Sequence, residues 1–259
     1  MNQEKQRPLI LISNDDGYRA KGINTLAEIA KEFGDVVVVA PEGPRSGAAL
    51  CVTFNSIITT RLVKQEPGLT VYSCSGTPGD CTKMGIANLC PRTPDLVLGG
   101  INHGDNSAVN VHYSGTMGIV IEGCMKGIPS IGFSYCSHLA DADFTPMFPY
   151  IRKIIGNVLE NGLPKDVCLN VNAPDMKEYK GIRVCAMGNG IWGNEWEKRV
   201  SPRGFEYWWL VGDYTSTDPV DAETDYALLR KGYVTATPTK IDITAYETFD
   251  TLKQSLEQE

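Results

Sequence analysis

The sequence predicts an α/β fold, a mostly parallel sheet with helices on both faces, on three observations. Short all-apolar runs recur, as in Leu9-Ile10-Leu11-Ile12 and Val36-Val37-Val38-Val39-Ala40, and such runs suit strands buried on both faces. Segments of helical period alternate with these runs, the pattern of strands joined by crossover helices. The first run stops at Asn14-Asp15-Asp16-Gly17, residues that force a turn at the carboxyl end of a strand, where open α/β sheets bind ligands.

The 259 residues suffice for one large domain with a sizeable core. The hydrophobic share of 42% and charged share of 21% are ordinary for a globular protein. A formal net charge of -7 offers no field to attract polyanions, which argues against a nucleic-acid polymer as partner. A small phosphate ester stays compatible where a cation bridges it to acidic side chains. No apolar run reaches the roughly 18 residues of a membrane span, and Met1 to Pro8 lacks a signal core, so a cytoplasmic protein is expected. The eight cysteines form no C-x-x-C pair, and buried reduced thiols are expected of them.

In chain order, Leu9 to Ile12 reads as a buried strand. Ile23, Leu26, Ile29, Ala30 and Phe33 mark a helix over Gly22 to Phe33, ended by Gly34, and Val36 to Ala40 is the second strand. A loop of small residues, Glu42 to Ala49, follows with Ser46 as a candidate hydroxyl ligand. Ser56 to Val63 and Leu69 to Cys74 read as strands about the turn Glu66-Pro67-Gly68. Thr77-Pro78 has the form of a helix N-cap followed by a first-turn proline, and the helix reaches to about Leu89. Leu96 to Leu98 is a short strand that empties into the loop Gly99 to Asn106. Ser114-Gly115-Thr116 starts a helix and offers backbone N–H groups and two hydroxyls to an anion. Ile128 to Phe133 is a strand, Phe144 to Leu159 a long amphipathic helix, and Val167 to Val171 a further strand. Residues 1–176 thus form the core. Residues 177–259 are a β-rich extension, with the aromatic segment Phe205 to Val211 read as an arm or hairpin for subunit contact (a covering layer over the sheet being the alternative), a helix over Asp221 to Lys231 and a closing strand over Tyr233 to Pro238.

Asp15, Asp16, Ser46 and Asn102 fall on the same side of this sheet, and all four offer oxygen. Two adjacent carboxylates repel unless a cation or a shared proton intervenes, and oxygen donors suit a hard divalent ion.

Seven segments of the chain, in this order, resemble the SurE (survival protein E) family of metal-dependent 5'/3'-nucleotidases. They are Ser13-Asn14-Asp15-Asp16-Gly17, Ala40-Pro41 with Arg45-Ser46-Gly47-Ala48, Gly76 to Cys81, Gly100 to Asn106, Tyr113 to Thr116, Asn170-Val171-Asn172, and Thr224-Asp225 with Gly232-Tyr233-Val234. The resemblance implies a divalent metal, one Mg or Mn per subunit, on Asp15, Asp16, Ser46 and Asn102, with Ca as a substitute in crystals. It implies Asn106, Ser114, Gly115 and Thr116 around the phosphate, a Rossmann-like core, and a C-terminal arm exchanged between subunits of a homodimer or homotetramer. It implies hydrolysis of nucleoside 5'- and 3'-monophosphates, with short polyphosphate as a further substrate. Gly99, Leu50-Cys51-Val52 and the stretch Met187 to Tyr207 depart from the family pattern, which leaves base preference open.

The chemistry expected is attack on phosphorus by a metal-activated water, with Asp15 or Asp16 orienting it. An aspartyl-phosphate route is the alternative chemistry. A broad phosphomonoesterase or polyphosphatase is an alternative function, and so is a non-catalytic nucleotide-binding protein. Against the last, Asn14-Asp15-Asp16-Gly17 stands where G-x-G-x-x-G would. His103, His112 and His138 receive no catalytic role, and a backbone-bonded loop histidine is the reading for those that flank the site.

Overall fold

The computed structural model describes residues 6–257. Leu9–Ser13 forms β1, buried along its whole length. Lys21–Ala30 (α1) leads to Asp35–Pro41 (β2), parallel to β1. Thr60–Glu66 (β3) and Leu69–Cys74 (β4) form a hairpin about Pro67-Gly68, and β4 adds in parallel to β2. Pro78–Met84 (α2) continues as a π turn to Leu89. Leu96–His103 (β5) is followed by a 3-10 turn over Ala108–His112, then by Gly115–Met125 (α3). Ser130–Tyr135 (β6), Phe148–Asn161 (α4) and Val167–Ala173 (β7) complete the regular alternation.

In the extension, Ile182–Val184 (β8), Gly190–Gly193 (β9), Trp196–Val200 (β10), Glu206–Leu210 (β11) and Asp213–Ser216 (β12) precede Asp225–Arg230 (α5). Val234–Lys240 (β13) and Phe249–Leu256 (α6) follow. The main sheet runs β3-β4-β2-β1-β5-β6-β7-β13-β8, mixed but mostly parallel, while β10–β11 and β9–β12 are separate antiparallel pairs.

Strand alternation sorts the core into two layers. Ile10 and Ile12 face a cluster with Ile23 and Leu26 of α1 and Ile151 and Ile155 of α4. Leu9 and Leu11 face the other side, with Cys81 of α2 and Met117, Ile119 and Val120 of α3. The chain moves outward from β1 through β2 to β4, then returns to the opposite side of β1 with β5. The β1/β5 boundary is therefore the switch point at which α/β sheets form a ligand crevice.

Several boundaries differ from the sequence reading. The strand expected over Leu96 to Leu98 continues to His103, because Gly99 and Gly100 stay in the sheet instead of starting a loop. The strand expected from Ser56 begins at Thr60. The helix from Phe144 starts at Phe148, after a 3-10 turn containing Pro146. The helix expected at Asp221 starts at Asp225, and α6 was not anticipated at all. Only Cys74, Cys81, Cys124 and Cys168 are buried; Cys51 is exposed, although all eight thiols are free. Among the described residues, no helix is long and apolar enough to cross a membrane.

Candidate active site

The turn after β1 is shaped by Asn14. Its side-chain carbonyl accepts the Gly17 N–H and its amide donates to the Gly17 carbonyl, both at 3.1 Å. Gly17 has φ of 98°, a left-handed conformation that a side chain would strain. Tyr18 N–H donates to Pro41 O at 3.0 Å, pinning the turn to the end of β2. The backbone oxygen of Asp15 accepts from Arg45 N–H at 2.7 Å, which fastens the Ser46 loop to the carboxylate turn.

Asp15 is buried, and its Oδ1 accepts from the Thr116 hydroxyl at 2.7 Å. Burial pushes the Asp15 carboxyl up to about 6; the Thr116 bond opposes the rise and the neighbouring Asp16 charge adds to it. Asp16 is half-buried and accepts weakly from His103 N–H at 3.4 Å. Burial raises its pKa as well, while His103 and His138 draw it back down. Two neighbouring carboxyls are thus both pushed toward their protonated forms, and a bound cation would relieve this.

Asn102, at the end of β5, donates its amide to Gly104 O at 2.8 Å, which leaves the side-chain oxygen for a ligand. Ser46 is exposed, and its hydroxyl makes no hydrogen bond among the described residues. No cluster of three or more His, Cys, Asp or Glu side chains suited to a metal occurs among the described residues. An ion here would rest on two carboxylates and neutral oxygens, a set that fits Mg, Mn or Ca better than zinc.

The start of α3 closes the other side. Ser114 is its N-cap, its Oγ accepting Met117 N–H at 2.9 Å, so the first N–H groups, Gly115 and Thr116, have no partner within the helix. Gly115 lets this end touch the carboxylate: a Cβ there would lie 2.7 Å from Asp15 Cβ. Gly118 does the same for the Ser46 loop, where a Cβ would lie 2.4 Å from Ala49 O. Thr116 itself is fully buried and its hydroxyl is given to Asp15, so of this residue only the backbone N–H is left without a partner in the helix.

Asn106 is held by residues to which the sequence assigned no role. Its N–H donates to Asn172 Oδ1, its side-chain amide to Ser134 Oγ, and its carbonyl accepts from Asn170, each at 2.7 Å. Asn170 and Asn172 lie two residues apart on buried β7, and Asn172 pairs across strands with Ser134. Two amides at strand spacing inside an otherwise apolar run were the available signal. His103 bonds Leu139 O through Nδ1 at 2.9 Å and packs edge-on against Phe144, the backbone-bonded arrangement expected of it. His112 and His138 are exposed.

Residues 10–194 match the family model for survival protein SurE. Proteins called 5'-nucleotidase SurE from Phocaeicola vulgatus and Bacteroides thetaiotaomicron are 54% and 52% identical. The matches cover 96% and 98% of this chain, and 97% and 98% of those proteins. The crystal structure of the SurE protein from Aquifex aeolicus superimposes with a TM-score of 0.82 at 36% identity, covering 97% of this chain and all of that one. Fold and sequence agree, and the chain belongs to the SurE family.

Proposed function

We propose that the chain hydrolyses nucleoside 5'-monophosphates, and 3'-monophosphates, to nucleoside and phosphate with a divalent ion bound by Asp15, Asp16, Ser46 and Asn102. The observation that carries this reading is the Asp15-Asp16 pair at the sheet's switch point, in contact with the open amino end of α3. The nucleotidase names of the near relatives support the choice of substrate.

A divalent ion supplies Lewis acidity to a phosphoryl oxygen and lowers the pKa of its water. The carboxylates hold that ion and orient the attacking water, Asp15 being fixed by Thr116 and Asp16 by the end of β5. The Gly115 and Thr116 N–H groups, the Ser114 hydroxyl and the second amide hydrogen of Asn106 would stabilise the charge that develops on the equatorial oxygens. One such donor contributes about 3 kcal/mol to the transition state. This reading extends to assembly as a homodimer or homotetramer through the exposed β10–β11 arm.

The test is phosphate release from a panel of 5'- and 3'-nucleoside monophosphates. Turnover should vanish with EDTA and return with Mn or Mg. Release that persists through full chelation would overturn the metal-dependent mechanism, and activity on non-nucleotide esters alone would overturn the substrate.

A further inference from the structure

We propose that Asp225, in the C-terminal extension, is a positioning residue that sets the aim of Asn106 by clamping the loop that follows it. The proposal rests on the phosphomonoesterase reading above. Asp225 is fully buried, and it lies 117 residues from the loop it holds. Its two oxygens accept the Ala108 N–H at 3.2 and 3.1 Å. Oδ1 also accepts Gly188 N–H at 2.8 Å and Tyr226 N–H at 2.7 Å. One carboxylate thereby ties together the loop after β5, the segment before β9 and the start of α5.

The loop needs such a tie. Ala108, two residues after Asn106, has φ of 50°, a left-handed conformation unfavourable for a residue with a Cβ. Its neighbours are anchored from the same side: Asn110 Oδ1 accepts Trp192 Nε1–H at 3.0 Å, and Asn110 donates to Asp105 Oδ1 at 3.0 Å. Trp192 packs edge-on against Tyr214, and Tyr214 against Tyr226 beside Asp225. Asn106 therefore sits between two fixed points, the β7 amides on one side and the Asp225 clamp two residues on. A carboxylate taken out of water with no cationic side chain against it among the described residues is costly, and backbone N–H groups offset that cost only while the loop keeps this shape. Asparagine in its place would turn an NH2 group toward N–H donors and release part of the clamp.

The experiment compares the full-length wild type with Asp225→Asn and Asp225→Glu. Three quantities are read: kcat and KM on nucleoside monophosphate with Mn, Mn affinity alone, and amide exchange at Ala108, Gly188 and the core strands. Asp225→Asn should speed exchange at Ala108 and Gly188 and lower kcat by roughly tenfold or more, with Mn affinity and core protection unchanged. Asp225→Glu should recover part of both. Fast exchange at Ala108 with wild-type kcat would overturn the proposal, and so would a loss of kcat matched by equal losses of Mn binding and core protection. Should both variants fail to fold, Trp192→Phe removes the indole N–H from Asn110 while keeping an aromatic ring beside Tyr214. It should lower kcat several-fold in the same pattern, and wild-type kinetics there would overturn the proposal. A wild type that binds Mn and inorganic phosphate but releases no phosphate from nucleotides sinks the nucleotidase reading alone. The clamp is then read from phosphate affinity, which should fall in Asp225→Asn; equal affinity would overturn it.

Discussion

Asp15 sits in an environment that is expensive to maintain. Its carboxyl is raised from 3.8 to about 6, mainly by burial. In chelated protein, the folded state holds a proton between those values that the unfolded chain has released. Stability therefore falls as pH rises through this window and stays lower above it, by about 3 kcal/mol at roughly 1.4 kcal/mol per pKa unit. Asp15→Asn keeps an oxygen for the Thr116 hydroxyl and removes the charge. The variant should lose nearly all turnover and Mn affinity, yet melt higher than the wild type above pH 6 in EDTA. The difference in Tm between the two should shrink as pH falls from about 6 toward 4. Added Mn should stabilise the wild type strongly at pH 7, little near pH 4, and the variant at neither. A variant with no Tm advantage in EDTA would mean that Asp15 carries no such strain. The carboxylate pair was legible in the sequence because an apolar strand must end at that turn. Its partner Thr116, 101 residues away, was legible only as a helix start, since the sequence cannot say which oxygen a hydroxyl will meet. Asn170, Asn172 and Asp225 stood out as motifs, and their roles appear only once β7 and α5 are folded beside the loop.

At the scale of elements, α3 has two tasks at one end: it must be capped, and it must come close to Asp15. Ser114→Ala removes the bond to Met117 N–H and should cost about 1 kcal/mol of stability, the usual value of a lost cap. Because the proposed phosphate site takes in the same hydroxyl, KM and kcat should both suffer. Gly115→Ala separates the tasks. It leaves the cap intact but places a methyl 2.7 Å from Asp15 Cβ and 3.0 Å from its Oδ2. Its activity should fall by roughly a hundredfold, the scale of a displacement of about 1 Å in a catalytic group, and Mn affinity should fall with it. Wild-type activity in Gly115→Ala would show that the close approach has no catalytic consequence. The cap of α3 and the capping box of α2, with Thr77 and Asp80 bonded reciprocally, lie where local sequence places them. The end of β5 does not, because Gly99 resembles a loop residue locally but is held in the sheet by Ser13 of β1 and Gly132 of β6, and the pairing resumes at Asn102 after an irregularity at Gly100. Tertiary pairing overrides weak strand propensity there.

For the whole molecule, the open question is what covers β10 and β11. Every residue of these two strands is exposed, including Trp196, Trp208, Trp209 and Leu210. Trp196 pairs with Leu210, and Lys198 with Trp208, so one face of the hairpin presents Trp196, Trp208 and Leu210 together. An isolated two-stranded hairpin is marginal in water, and an apolar patch of this kind on a protein surface marks an interface. The aromatic segment was legible in the sequence as an arm or hairpin, and its strands do pair outside the main sheet instead of covering it; which strand pairs with which was not legible, because alternation alone does not name the partner strand. The occupant under the proposed assembly is a second copy of the chain. Replacing Trp208 and Leu210 by glutamate leaves the hairpin's backbone pairing available but charges the face that the partner would bury. Each side chain contributes roughly 2 kcal/mol when covered, so the pair should weaken association by a hundredfold or more. Light scattering at micromolar concentration should show the wild type as a dimer or tetramer and the double variant at a lower mass. The variant's Tm, measured where both proteins are dilute enough to be monomeric, should match the wild type's. Equal masses for the two proteins would remove the hairpin from the interface, and a monomeric wild type would leave it without a partner of its own kind.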